Sequence, residues 1–182
     1  MSGRRTRRRL LTTSVTAFAT GFAGCLRGPV GDDDPDLGDP KPYVEVELSS
    51  SGDEHVDPPV VHLVDGGTVE WVANDGDHEI AAYHPDSHGT QQRIPGDAEP
   101  WTSGELAPGD SFDRIFDVEG VFDYVSTPYE SEGAVGSIVV GWPDPDEAPA
   151  LEEPVETYPD AAVDALEQRN DRVRDLLEEV HE

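Results

Sequence analysis

The stretch Gly120-Val121-Phe122-Asp123-Tyr124-Val125-Ser126-Thr127-Pro128-Tyr129-Glu130-Ser131-Glu132-Gly133-Ala134-Val135-Gly136 decides how this chain is read. An apolar, aromatic strand, Val121 to Val125, runs into a turn whose shape is set by Pro128, Gly133 and Gly136. Ser137 to Gly141 reads as the strand that leaves it. Upstream the texture is the same. Val44, Val46 and Leu48 alternate with Glu45 and Glu47, and Val60 to Val64 is a short apolar run stopped by Asp65-Gly66-Gly67. Val69, Trp71 and Ala73 alternate again up to Asn74-Asp75-Gly76, His78, Ile80 and Ala82 share one face, and Ser111 to Val118 follows a long loop. Short strands divided by Gly, Pro, Asn and Asp clusters predict an antiparallel all-β sandwich or barrel of roughly 100 residues.

Charge narrows the function classes. The 182 residues carry 40 acids against 12 basic residues, a formal charge of −28. Acidity of this kind can signal disorder, but residues 43–141 are well supplied with Val, Ile, Phe, Tyr and Trp. The alternative is a folded domain with a carboxylate-rich, lysine-poor surface suited to concentrated salt. Molar salt shortens the Debye length to about 3 Å and screens self-repulsion. Nucleic-acid binding is excluded, because attachment to phosphates needs the opposite charge.

The turn resembles the metal-binding loop of the plastocyanin/halocyanin branch of the cupredoxins. There an aromatic strand is followed by Cys, two residues, His, four residues, Met and a closing Gly. The resemblance implies a cupredoxin-like Greek-key β-sandwich over about Tyr43 to Gly141, with copper electron transfer as the family's function. In this sequence the three ligand positions of the loop read Ser126, Tyr129 and Ala134. The family's first imidazole follows an Asn-bearing strand end, and Trp71-Val72-Ala73-Asn74-Asp75-Gly76-Asp77-His78 puts His78 there.

A type 1 copper site needs two imidazoles and a thiolate, with a weak axial thioether. Ser126 supplies an alcohol that stays protonated near neutral pH, Tyr129 a phenol with a pKa near 10, and Ala134 nothing. The expectation is a redox-inactive relative without copper, in which Ser126, Tyr129 and His78 hydrogen-bond together and fill the former site as a satisfied polar cluster. Copper would follow only if the family function were retained. A second metal reading takes His78, His84 and His88 as a nitrogen site for Cu(II) or Zn(II), aided by Asp86. Pro85 and Gly89 argue against a helix that would align the latter pair. His55 and His62 read as a loop and a strand residue, and His181 as part of the terminus. An enzyme reading, with Ser126 as nucleophile, His78 as base and Glu130 or Asp77 as orienter, lacks a strand–turn–helix elbow and an oxyanion arrangement. The chain is therefore read as no enzyme.

The ends carry the address. Residues 1–24 read as a twin-arginine lipoprotein signal: Thr6-Arg7-Arg8-Arg9-Leu10-Leu11, then the mildly apolar Thr12 to Gly24. That run is shorter than the 20 or so residues of a spanning helix. It ends at Phe22-Ala23-Gly24-Cys25, which looks like a lipobox with Cys25 as the lipidated residue. Cys25 is the single cysteine, so no internal disulfide can form and no thiol is left for copper. Residues 25–42 are an acidic Pro/Gly tether and residues 142–158 a second acidic linker. Residues 159–182 form a helix capped by Asp160, with Ala162, Leu166, Val173, Leu177 and Val180 on one side. Arg169, Arg172 and Arg174 are expected to pair with neighbouring acids. The whole is expected to be a haloarchaeal lipoprotein held on the outer face of the cell membrane through Cys25. A membrane or secreted protein is its expected partner, met through Trp142, Trp101 and the loops near Ser126.

Overall fold

The structure is a computed structural model that describes residues 38–52 and 54–181, and side chains up to 178. Cys25, the signal segment and most of the first tether lie outside the described residues. Eight strands follow in order: β1 Lys41–Leu48, β2 Val56–Asp57, β3 Val60–Ala73, β4 His78–Ala82, β5 Thr102–Leu106, β6 Ser111–Phe116, β7 Gly120–Ser126 and β8 Val135–Val140. A 22-residue helix, α1 Asp160–His181, closes the chain.

Strand β3 organises the sandwich. The sequence predicts a stop at Asp65-Gly66-Gly67, yet the strand runs through it for 14 residues. Gly66 has φ +75°, and a side chain at Gly67 would press on the carbonyls of Val64 and Lys41. The two glycines bend the strand without ending it. The sheets are mixed where the sequence predicts antiparallel ones, because alternation and turn residues mark a strand but not the direction of its neighbour. The first half of β3 pairs in parallel with β8, Val60 opposite Ser137. Its second half pairs with β1 in parallel and with β6 antiparallel, Trp71 lying between Val46 and Phe112. One sheet therefore reads β2-β1-β3-β6 and the other β3-β8-β7-β4-β5. Between them lies one core: Val46, Leu48 and Trp71 from the first sheet meet Ile80, Phe122 and Ile138 from the second.

The second sheet is covered on its other face too. Val60, Val121 and Val139 pack on Leu151, Val173 and Leu177, while Ala81, Val125 and Val135 pack on Tyr158, Ala162 and Leu166. This third layer explains a contrast in the sequence. On β1, buried Val46 and Leu48 alternate with exposed Glu45 and Glu47; β7 and β8 are buried at every residue. A sheet covered on both faces loses the period-2 signal. All four described apolar residues of the predicted helical stripe are buried here, and Val180's side chain lies outside the described residues. Two details differ from the expectation. The carbonyl of Pro159, not the side chain of Asp160, receives the first helical amides, Ala162 at 2.9 Å and Val163 at 3.0 Å. Arg174 donates to the Leu151 carbonyl at 2.7 Å instead of pairing along the helix. Residues 142–158 are also more than a linker, because Pro143, Ala150, Leu151, Pro154 and Tyr158 are buried while the acids among them face out.

Candidate functional site

Strand β7 ends at Ser126, and the turn that follows is a short 3-10 segment, Thr127–Glu132, entered through Pro128. Gly133 closes it in the left-handed region at φ +81°, its N–H reaching the Glu130 carbonyl at 3.0 Å. Ser126 N–H donates to the Ala134 carbonyl at 2.8 Å, and Ala134 N–H to the Tyr129 carbonyl at 3.1 Å. Gly136 is needed because any side chain there would collide with the Tyr124 ring. Pro128 and Gly133 thus shape this turn through the backbone, and Gly136 makes room for the Tyr124 ring.

His78 enters from β4 and is fully buried beside Ser126. Its Nε2 lies 2.9 Å from the carbonyl of Asp75, an atom that can only accept, so Nε2 carries the proton. The Nδ1 lone pair then receives the Ser126 hydroxyl at 2.8 Å. Burial holds the His78 pKa below its ordinary value and keeps the ring neutral. Tyr129 joins the pair through its ring, centred 4.9 Å from that of His78. The polar cluster expected from the sequence is met in part: Ser126 and His78 hydrogen-bond, while Tyr129 reaches His78 through a tilted ring contact instead of the expected hydrogen bond.

His55, read from the sequence as a loop residue, belongs here as well. It is buried, stacks on Tyr129 at 5.6 Å and 8° between planes, and bonds the Ser49 carbonyl through Nδ1 at 2.9 Å. The Asp75 carboxylate accepts from the Ser50 amide and hydroxyl, both at 2.5 Å. Those bonds, the Ser50 hydroxyl foremost, lower its pKa. Asp75 thus anchors the 49–51 turn with its side chain and aligns His78 with its carbonyl.

His84 and His88 lie elsewhere. They are linked to each other by backbone bonds of 2.9 Å, His84 N–H to His88 O and the reverse. The His84 Nδ1 accepts from the Asp86 amide at 3.1 Å. His88 Nε2 meets Glu130 at 3.0 Å, and Glu130 also accepts from the Tyr83 hydroxyl at 3.0 Å. The Glu130 bond raises the His88 pKa. Burial pushes Glu130 up, but His88 and Tyr83 outweigh it and leave its pKa lowered. Among the described residues no three His, Cys, Asp or Glu side chains converge as a metal cage would require. The structure does not bring His78 together with His84 and His88 as one ligand set.

The predicted contact residues also move. Trp101 is buried in the core and presents no free surface, whereas Trp142 is half-buried and lies edge-on against His62 at 4.5 Å.

Solved structures of similar shape include a pseudoazurin from Sinorhizobium meliltoi, 26% identical with a TM-score of 0.53 over 72% of this chain and 94% of that one. The pseudoazurin from Methylobacterium extorquens AM1 is 22% identical, with a TM-score of 0.57 over 72% of this chain and 98% of that one. The chain has the cupredoxin fold. No protein-family model and no curated protein sequence matches it.

A cupredoxin's copper does not fit the residues present. Ser126 offers no thiolate, Ala134 no thioether, and the one lone pair of His78 is held by the Ser126 hydroxyl. A metal at His78 would have to break that bond in a buried site and leave the hydroxyl unsatisfied.

Proposed function

We propose that this chain is a redox-inactive member of the cupredoxin fold, exported and held on the outer face of the membrane by a lipid on Cys25, and that it serves as a binding or assembly module for a membrane or secreted protein. The hydrogen bond from Ser126 to the Nδ1 of His78 carries this reading, because it occupies the atoms a blue-copper centre would need. The cupredoxin fold is that of blue-copper-type proteins, and electron transfer through copper is the reading that the Ser126–His78 bond disfavours.

Titration of the purified protein with Cu(II) in concentrated salt tests it, followed by visible and paramagnetic-resonance spectra. The expected result is no stoichiometric metal. An intense blue band sinks the proposal. Stoichiometric copper without that band, lost in His84→Ala or His88→Ala, would assign a non-blue site instead. Anchoring has its own check: Cys25→Ser should move the protein from the membrane fraction to the medium.

A further inference from the structure

We propose that the outer edge of β6, with the cleft beside it, docks an extended, basic segment of a protein partner; the proposal rests on the binding-module reading and gives it a surface. Among the described strands β6 pairs only with β3, so the other side of Ser111–Phe116 presents unpaired backbone donors and acceptors. Such a row is a template for one more strand. Ile115 sits on it at 62% exposure, and the large exposed apolar residues among those described are Ile115 and Tyr43. Tyr43 is engaged through its hydroxyl with Glu70. Ile115 has no polar end to satisfy.

The cleft has a volume of about 340 Å³. Phe116, Val118 and Phe122 form its floor, and Asp97, Glu99 and Asp117 stand around it. Arg114 is the one base in its lining, and it is turned inward: its guanidinium lies 4.8 Å above the Trp101 ring and donates to the Glu99 carbonyl at 3.2 Å. Glu99 and Asp117 act on its charge, but three exposed carboxylates against one guanidinium leave the lining net acidic. An apolar floor with an acidic rim fits a strand whose lysines or arginines alternate with apolar residues, the period-2 display of an extended chain. Phe122 lies four residues along β7 from Ser126, roughly 13 Å at strand rise, so this surface is separate from the His78 cluster.

The test uses ¹⁵N-labelled protein at the lowest salt at which circular dichroism shows it folded. Two probes are added in turn: a short peptide alternating lysine with valine, and its glutamate–valine counterpart. The lysine peptide should shift the amide resonances of residues 111–118 and 97–99 saturably, and the glutamate peptide should not. Glu99→Lys combined with Asp117→Lys should weaken binding at least about tenfold. Ile115→Ser should weaken it too, and Glu156→Lys, an exposed change elsewhere, should leave it unaltered. Equal binding of both peptides, no shift, or indifference to the double reversal overturns the proposal. Shifts confined to residues 127–132 and 84–89 also overturn it, while leaving the binding-module reading intact. A blue band in the copper titration removes that underlying reading whichever way the peptides behave.

Discussion

Two buried polar clusters sit on β7, three residues apart, and they are built on opposite principles. At Ser126 the cluster is neutral: a hydroxyl, an uncharged imidazole and a backbone carbonyl satisfy one another. At Asp123 it is ionic. Arg93 and Asp123 are both fully buried, with Nε 2.8 Å from Oδ2, and the Ser137 hydroxyl donates to the other carboxylate oxygen. Burial raises the Asp123 pKa against the opposing pull of Arg93 and Ser137. The rest of the guanidinium reaches the Ala150 carbonyl, the Glu152 carbonyl at 2.9 Å and Asn170 Oδ1 at 3.1 Å. Arg93 thereby ties β7 to the 150–152 segment and to α1. The neutral cluster fills a place in the fold, while the ionic one joins the helical layer to the sheet. That difference sets how much each should cost to break.

Arg93→Ala should be the most damaging change, because it strands the buried Asp123 carboxylate and takes the donor from the Ala150 carbonyl and Asn170 Oδ1. Removing one partner of a buried pair costs about 3–5 kcal/mol. Denaturant unfolding in concentrated salt measures it, and amide exchange should show α1 loosening before the strands. Arg93→Met with Asp123→Leu should recover much of the loss. A small loss for Arg93→Ala alone would mean that the helix is held by its apolar face and the ionic cluster is incidental.

Ser126→Ala should cost less, about 1–3 kcal/mol, since it leaves only a neutral buried nitrogen without its donor. Ser126→Val with His78→Leu removes both partners and should be milder than the single change. If Ser126→Ala proves as costly as Arg93→Ala, the contrast between the clusters fails.

The strands of the first sheet were legible in the sequence because one face is wet, so Val44, Val46 and Leu48 alternate cleanly with glutamates. The turn from Ser126 to Gly136 was legible for a different reason: Pro128 and Gly133 meet backbone needs and Gly136 a packing need, and all hold with or without a metal. The docking of α1 was not legible, since a sheet covered on both faces shows only unbroken apolar runs. Arg93 was hidden as well. It stands in a stretch with Gln91, Gln92, Pro95 and Gly96 that reads as open loop, and apart from Gln91 its partners lie 30 to 77 residues away. A charged residue inside the apolar run of β7, Asp123, was the one local sign that a buried cation had to exist. His55 was missed because nothing within its own neighbourhood points to Tyr129.

The histidines extend the same contrast to pH. His78 is buried and neutral, with a folded pKa below 6.5, so the unfolded chain binds more protons between that value and 6.5. Its contribution is complete above 6.5 and is lost as pH falls through the folded pKa. His88 has a folded pKa raised above 6.5 by Glu130, so the folded chain binds more protons there. Its contribution is complete below 6.5 and fades as pH rises through the folded value. Thermal midpoints across pH should therefore lose their alkaline decline in His88→Gln and keep their acid decline. The half-exposed His88–Glu130 pair should account for no more than about 1 kcal/mol.

The smallest effect concerns the outer face of the first sheet, which neither cluster touches. The register sets Glu45 opposite Glu70 and Glu70 opposite Asp113, three carboxylates in a row across β1, β3 and β6. Like charges directly opposite one another on a sheet are destabilising. The Tyr43 hydroxyl relieves part of this: its bond lowers the Glu70 pKa, and the Tyr43 pKa is pushed up to about 12 in return. The remainder depends on screening, which weakens as salt is withdrawn and the Debye length grows from about 3 Å at 1 M to about 10 Å at 0.1 M. Glu70→Gln should thus lower the salt concentration at which half the protein is folded, with little change at molar salt. Arg93→Ala should cost stability at every salt concentration, because no ion enters its buried site to screen it. A Glu70→Gln midpoint that does not move would show that this row is already neutralised, and that salt acts on the acidic surface as a whole instead of on its closest carboxylates.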